Sequence, residues 1–260
     1  MRGDASASGT AELTAPTNWQ VIDFISDLHL GEDTPRGLRA FADYLRTTPA
    51  DAVFILGDLF EVWVGDDARG DEFEARCART LREGASRCQV AFMAGNRDFL
   101  LGEAMLRDCG MLGLADPTVL VAQGQRLLLT HGDALCVADT DYQQFRRLVR
   151  GAAWQSEFLA HSLPVRRAQA RRMRTESRAR QRLQAPGQWF DVDAALAVQW
   201  LQRAGTTVMI HGHTHRPGSN ALAAGYTRHV LSDWEFDHDT RSRAEVLRLS
   251  AGALSRLPLR

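Results

Sequence analysis

The stretch TTVMIHGHTHRP, Thr206 to Pro217, sets His211, His213 and His215 within five positions of one another, directly after the β-branched apolar run TTVMI. That run has the length and composition of a buried strand, and a strand that ends in imidazoles offers nitrogen donors at its carboxyl end. The same event recurs four times upstream. WQVIDFIS (19–26) leads into Asp27 and His29, and DAVFIL (51–56) into Gly57 and Asp58. QVAFMA (89–94) leads into Gly95, Asn96, Arg97 and Asp98, and RLLLT (126–130) into His131 and Asp133. GLRAFADYLRTT (37–48) and EFEARCARTLREGA (72–85) lie between the early runs and carry their apolar residues at helical spacing. Strands alternating with helices predict a layered α/β fold, in which sites gather at the carboxyl ends of the strands. A single His after a strand is usually a hydrogen-bonded structural residue, but five strand ends that collect such groups point to one shared site.

Ligand chemistry narrows what the site holds. Carboxylates, imidazoles and an Asn carbonyl, without a convincing Cys ligand, favour a borderline-to-hard divalent ion such as manganese over thiolate-held structural zinc. The number of donors predicts two ions. Two neighbouring ions need a bridging anionic oxygen, and Asp58 is the expected bridge, since Gly57 lets the backbone turn sharply beside it.

With 260 residues, 45% hydrophobic and 24% charged, the chain can bury one large core. The formal net charge of -1 conceals an uneven distribution, because residues 146–182 hold eleven Arg against only Glu157 and Glu176. No Lys occurs anywhere, so every fixed cation is a guanidinium suited to phosphate. Cys77, Cys88, Cys109 and Cys136 form no CxxC pair and read as reduced thiols of a cytoplasmic protein. The opening MRGDASASGTAELTAPTN lacks a secretory pattern and is expected to be a disordered tail up to residue 18, with the folded domain over 19–260. No apolar run approaches the roughly 18 to 20 residues needed to cross a bilayer, so membrane contact is expected to be peripheral.

The ordered motifs D-x-H, GD, GN, H and GHTH resemble the calcineurin-like metallophosphoesterase superfamily, whose fold is a layered α/β/β/α sandwich. The resemblance implies that Asp27, His29, Asp58 and His215 hold one metal ion and Asp58, Asn96, His131 and His213 the other. His211 is then not a ligand and is expected to support a neighbouring one. The phrases ISDLHL, ILGDLFEVWVGDD, GNRDFLLG, HGDALC, DYQQFRRLVR and IHGHTHRP are similar to one branch, the UDP-2,3-diacylglucosamine pyrophosphatases of bacterial lipid A synthesis, from about residue 21 to residue 217. That implies hydrolysis of a UDP-linked diacylated glucosamine to UMP and the diacylglucosamine 1-phosphate (lipid X), by attack of water, activated between the ions, on the α-phosphorus. It also implies work on the cytoplasmic face of the inner membrane, with no nucleic-acid partner; the alternative reading is a metallophosphoesterase acting on nucleotides or nucleic acid, with the arginine-rich segment as its phosphate track. Many relatives carry His after the GN. Here Arg97 cannot act as an acid near neutral pH, but it can grip phosphate oxygens, so Asn96, Arg97, Asp58 and His213 are the expected catalytic and phosphate-contacting groups. Glu61, Asp98 and Asp133 are read either as orienting ligands or as salt-bridged.

The branch resemblance further implies a helical lid at about 137–195 that holds acyl chains over the metals. Trp154, Phe158 and Leu159 followed by the arginines of VRRAQARRMRTESRARQR suit an acylated, anionic substrate. Asp139, Ser177 and Gln181 align with substrate-contacting positions. Gln181 and Gln184 stand where the branch has Asn and Lys, which removes one cationic contact. Trp234 in LSDW is expected to pack.

Overall fold

The computed structural model describes residues 10–183, 190–238 and 242–259, the side chains of 177–183 excepted. Strands β1 (Ala11–Thr14), β2 (Val21–Ile25), β3 (Ala52–Leu56), β4 (Gln89–Met93), β5 (Leu112–Leu114), β6 (Thr118–Ala122), β7 (Gln125–Thr130), β8 (Val208–His211), β9 (Gly218–Ala223), β10 (Tyr226–Val230), β11 (Glu245–Ser250) and β12 (Ala253–Pro258) form two six-stranded sheets. One runs β12-β11-β2-β3-β4-β5 and the other β1-β6-β7-β8-β10-β9. The five runs expected as strands are β2, β3, β4, β7 and β8. Strands β2 to β5 are parallel, as are β7 and β8, so the ligand-bearing carboxyl ends share a direction within each sheet.

The alternation of side chains along each strand builds three apolar layers. Ile22, Phe24, Phe54, Leu56 and Met93 face Leu120, Leu127, Leu129 and Ile210 between the sheets. The intervening Ile25, Val53, Ile55 and Phe92 point the other way, onto helices α1 (Pro35–Thr47), α2 (Glu72–Ala85) and α3 (Glu103–Cys109) through Phe41, Leu45, Cys77, Leu81 and Met105. Burying each large apolar side chain contributes about 1.5–3 kcal/mol, so these layers dominate the stability. The chain continues through α4 (Thr140–Val149), α5 (Ala152–Ala160), α6 (Leu163–Leu183) and α7 (Ala194–Arg203). Ala197 and Leu201 of α7 cover Leu128 and Met209 on the outer face of the second sheet. The result is the expected α/β/β/α sandwich, and α4, α5 and α6 make a helical excursion between β7 and β8.

Two expectations change. Ala11–Thr14, placed in the tail by the sequence reading, pair in parallel with Thr118–Val121 as an edge strand, and Leu13 packs against the inter-sheet core. Residues 1–9 lie outside the described residues. Phe158, expected in an accessible apolar wall, is buried against the first sheet's helical layer and stacks on Trp154 at 4.8 Å between ring centroids. It packs the helical layer and also lines a cavity between α5 and α6. Trp234 packs as expected, edge-on against Phe41 and Tyr44, and the four cysteines are free.

Candidate active site

The loops that follow β2, β3, β4, β7 and β8 meet at one end of the paired sheets. Backbone bonds zip the first two loops together: Asp27 N donates to the Gly57 carbonyl, His29 N to Asp58, Leu30 N to Leu59 and Glu61 N to Leu30, at 2.9–3.1 Å. Asp98, wholly buried, ties in the third loop. Its carboxylate accepts from Leu59 N at 2.7 Å, Phe60 N at 3.3 Å and Gly95 N at 2.8 Å. A Cβ on Gly57 would stand 2.5 Å from His131 Nδ1 and 2.7 Å from Gly95 Cα, at a φ of +89° that glycine alone adopts without strain. That close approach is why the turns can share one site.

Seven non-glycine residues have positive φ among the described residues, and five of them are expected ligands: Asp27 (55°), His29 (48°), Asp58 (53°), His213 (66°) and His215 (51°). Left-handed backbone at such residues costs about 1–3 kcal/mol each and persists where surrounding structure fixes it, typically at functional sites.

The side chains converge accordingly. His29 Nε2 lies 3.2 Å from His215 Nε2, which is 3.3 Å from Asp27 Oδ1. Asn96 Oδ1 lies 2.9 Å from His131 Nε2 and 2.8 Å from His213 Nδ1. Asp58 stands between the two groups, with Oδ2 4.0 Å from His29 Nε2 and Oδ1 3.7 Å from His131 Nε2. All seven expected ligands thus meet in one cluster. His211 points away from it, buried with Nδ1 2.9 Å from the Gly212 carbonyl.

A family model for calcineurin-like phosphoesterases matches residues 21–217. The chain belongs to that family. At the level of whole chains it is 42% identical to a UDP-2,3-diacylglucosamine hydrolase of Ralstonia nicotianae, covering 92% of both. It is 41% identical to proteins of the same name from Chromobacterium violaceum, over 92% of this chain and 98% of that one, and Xanthomonas oryzae pv. oryzae, over 89% and 96%. The chain is therefore a metal-dependent hydrolase.

Membership of the calcineurin-like phosphoesterases implies divalent metal ions, and the donor set fits them. Donor atoms of Asp27, His29 and His215 lie within 4.8 Å of one another, as do those of Asp27, Asp58 and His131. Asp27 Oδ1 is buried without a hydrogen bond. Burial works against a charged His131, yet the Asp58, Asp133 and Asp27 carboxylates hold its pKa up at about 9. The same carboxylates favour positive charge at this end of the sheets. His213 goes the other way, to about 4, through burial and the neighbouring His131.

The surrounding groups take definite roles. Arg97, half-buried, donates its backbone N–H to Asp58 Oδ1 at 2.8 Å. Asp133 is salt-bridged, holding Arg146 at 2.8 Å and accepting from the Tyr142 hydroxyl. Asp139 caps α4 by accepting from Tyr142 N at 3.1 Å. Ser177 and Gln181 fall on the last turns of α6, where their side chains lie outside the described residues, as does Gln184 altogether.

Two contributors escaped the sequence reading. The Tyr142 ring lies 5.9 Å from that of His213, and Arg150 donates to the Gly95 carbonyl at 2.8 Å while its guanidinium lies 5.2 Å from the centre of the Phe99 ring. Both belong to DYQQFRRLVR, where Tyr142, Arg146 and Arg150 recur every fourth residue on one face of α4. That spacing was the available signal.

Proposed function

We propose that this chain hydrolyses the pyrophosphate bond of UDP-2,3-diacylglucosamine, releasing UMP and 2,3-diacylglucosamine 1-phosphate in lipid A biosynthesis. The observation that carries this reading is the convergence of Asp27, His29, Asp58, Asn96, His131, His213 and His215 at one end of two sheets. They do so in a chain that shares 42% of its residues, over nearly its whole length, with a hydrolase of that name.

Asp27, His29, Asp58 and His215 would hold one divalent ion, and Asp58, Asn96, His131 and His213 the other. Asp58 faces both groups with separate oxygens. When bound, such a pair supplies a nucleophile at neutral pH and positive charge against phosphoryl oxygens. Manganese suits the mixed nitrogen and oxygen donors. Arg97 reaches the same end of the sheets from the Asn96 loop and offers a forked donor to oxygens on the α-phosphorus, where attack is assigned.

Substrate selection falls to the helices of 137–195, acting as a lid, with Asp139, Ser177 and Gln181 as its polar contacts. A cavity of about 440 Å³ opens between α5 and α6, with an apolar side of Trp154, Phe158 and Met173 that supports a place for part of an acyl chain and a polar rim that includes Glu157, Arg172 and Glu176. Among the described residues no helix is long and apolar enough to cross a membrane. The exposed Leu148, Leu159 and Val165 on the excursion support peripheral contact with the cytoplasmic face of the inner membrane.

The purified chain with added manganese, offered UDP-2,3-diacylglucosamine beside nucleotides and oligonucleotides, tests the reading. UMP and lipid 1-phosphate in equal amounts support it; turnover of the nucleotides or oligonucleotides alone overturns the substrate.

A further inference from the structure

The Glu61 carboxylate connects two parts of the molecule that otherwise belong to different layers. Its backbone is pinned to the His29 loop, with Glu61 N donating to the Leu30 carbonyl at 3.0 Å and Leu30 bridging to Phe60. From there the side chain reaches both layers, with the Arg97 charge also acting on it. Oε2 lies 2.8 Å from His29 Nδ1, and Oε1 pairs with Arg174 on α6. One oxygen therefore faces a ligand of the catalytic cluster, and the other faces a helix of the excursion more than a hundred residues later in the chain.

We infer that Glu61 is a positioning residue that holds His29 in the tautomer with its proton on Nδ1, and that Arg174 makes this hold depend on α6 being docked. The inference rests on the reading of His29 as a metal ligand. His29 Nδ1 is buried without an aligned hydrogen bond, and Glu61 Oε2 is the carboxylate oxygen that faces it. With Nδ1–H turned onto that oxygen the ring presents an unprotonated Nε2, the nitrogen that lies toward Asp27, Asp58 and His215, and its plane is fixed. Arg174 completes the arrangement from the far side, since a carboxylate paired with a guanidinium is held in one rotamer rather than several. Displacement of α6 removes that restraint and leaves Glu61 and His29 free to reorient. The helices of the excursion then act on the metal site through one side chain, without any of them supplying a ligand. Nearer the start of α6, Arg166 binds the Val64 carbonyl and Asp67, and Arg167 pairs with Asp71 and Glu74, away from the cluster.

The test uses the full chain with manganese. Imidazole nitrogen shifts of the metal-free protein report the His29 tautomer, and titration against a competing chelator reports affinity. Glu61→Gln keeps the shape but not the charge, and it should weaken manganese binding about 10- to 100-fold, the usual effect of losing a carboxylate behind a ligating imidazole. It should also allow the other His29 tautomer to appear. Arg174→Ala, at a partly buried position of α6, should weaken binding to a lesser degree and have no further effect in the Glu61→Gln background, because it acts through Glu61. Unchanged manganese affinity and an unchanged tautomer in Glu61→Gln would overturn the inference while leaving the ligand assignment intact. Effects of the two substitutions that simply add would overturn the role of Arg174. Failure of the unsubstituted chain to bind manganese at all would instead sink the reading of the metal site itself.

Discussion

Asp58 and His211 separate two kinds of buried polar residue near the same loops. Asp58 spans both halves of the ligand cluster, so Asp58→Ala should empty the site of metal and abolish activity. His211 is fully buried against Gly132, where a Cβ would stand 3.0 Å from its Nδ1. His211→Ala should keep its metal but lose about 1–3 kcal/mol of stability to the cavity it leaves. Metal analysis and denaturant unfolding of both variants check this; equal metal loss in the two would contradict the assignment. Arg97→Lys keeps the charge and gives up the fork, so metal content should hold while kcat/KM falls by the equivalent of about 2–4 kcal/mol. A near-normal rate in that variant would remove Arg97 from phosphate recognition. The ligands were legible in the sequence because each follows a strand-like run at its carboxyl end. The strain was not: nothing in the letters of Asp27 or His215 announces a left-handed backbone. It arises from the loops being hydrogen-bonded to one another.

At the scale of elements, the arginine-rich segment shows what sequence order conceals. Arg146, Arg150, Arg166, Arg167, Arg172 and Arg174 all have partners, most of them far away in the chain: Asp133, the Gly95 carbonyl, Asp67, Glu74, Glu176 and Glu61. A charge run read locally looks like a free phosphate track; in the fold, much of it fastens α4 and α6 to the sandwich. Arg166 is the most buried of these fasteners, at 2% exposure. Arg166→Ala leaves the Val64 and His161 carbonyls without their donor and should cost about 1–3 kcal/mol, whereas the exposed Asp67 adds little. Faster limited proteolysis within residues 140–183 would register the loosening, and unchanged cleavage would contradict it. The other end of the excursion is tied by Asp191, whose two oxygens each meet Arg228 on β10 at 2.7 Å. The hydrogen bonds from Arg228 hold this carboxyl below its ordinary range. A depressed carboxyl stabilises the fold above the unfolded-state pKa of about 3.9, and the contribution is lost as pH falls through the folded value. Asp191→Asn should therefore cost at most about 1 kcal/mol at pH 7, given the partial exposure of the pair, and the two proteins should converge in acid. A gap that persists or widens in acid would contradict the linkage.

For the molecule as a whole, alternating strands and helices foretold the sandwich, because burial on both faces forces near-continuous apolar runs such as AVFIL and QVAFM. Strand β1 was hidden. AELT has one partly buried apolar side chain, Leu13, and gains its place by pairing with β6, more than a hundred residues away. The excursion's cavity was hidden for the same reason, since Phe158 and Met173 lie on different helices. The function proposed for this scaffold is hydrolysis of UDP-2,3-diacylglucosamine by attack on the α-phosphorus. The most direct test is turnover of that substrate by the manganese-loaded chain in water enriched in the heavy oxygen isotope, with mass analysis of both products. Attack on the α-phosphorus places the label in UMP and none in the lipid 1-phosphate. No turnover by a metal-loaded protein, or label in the lipid phosphate, would contradict it.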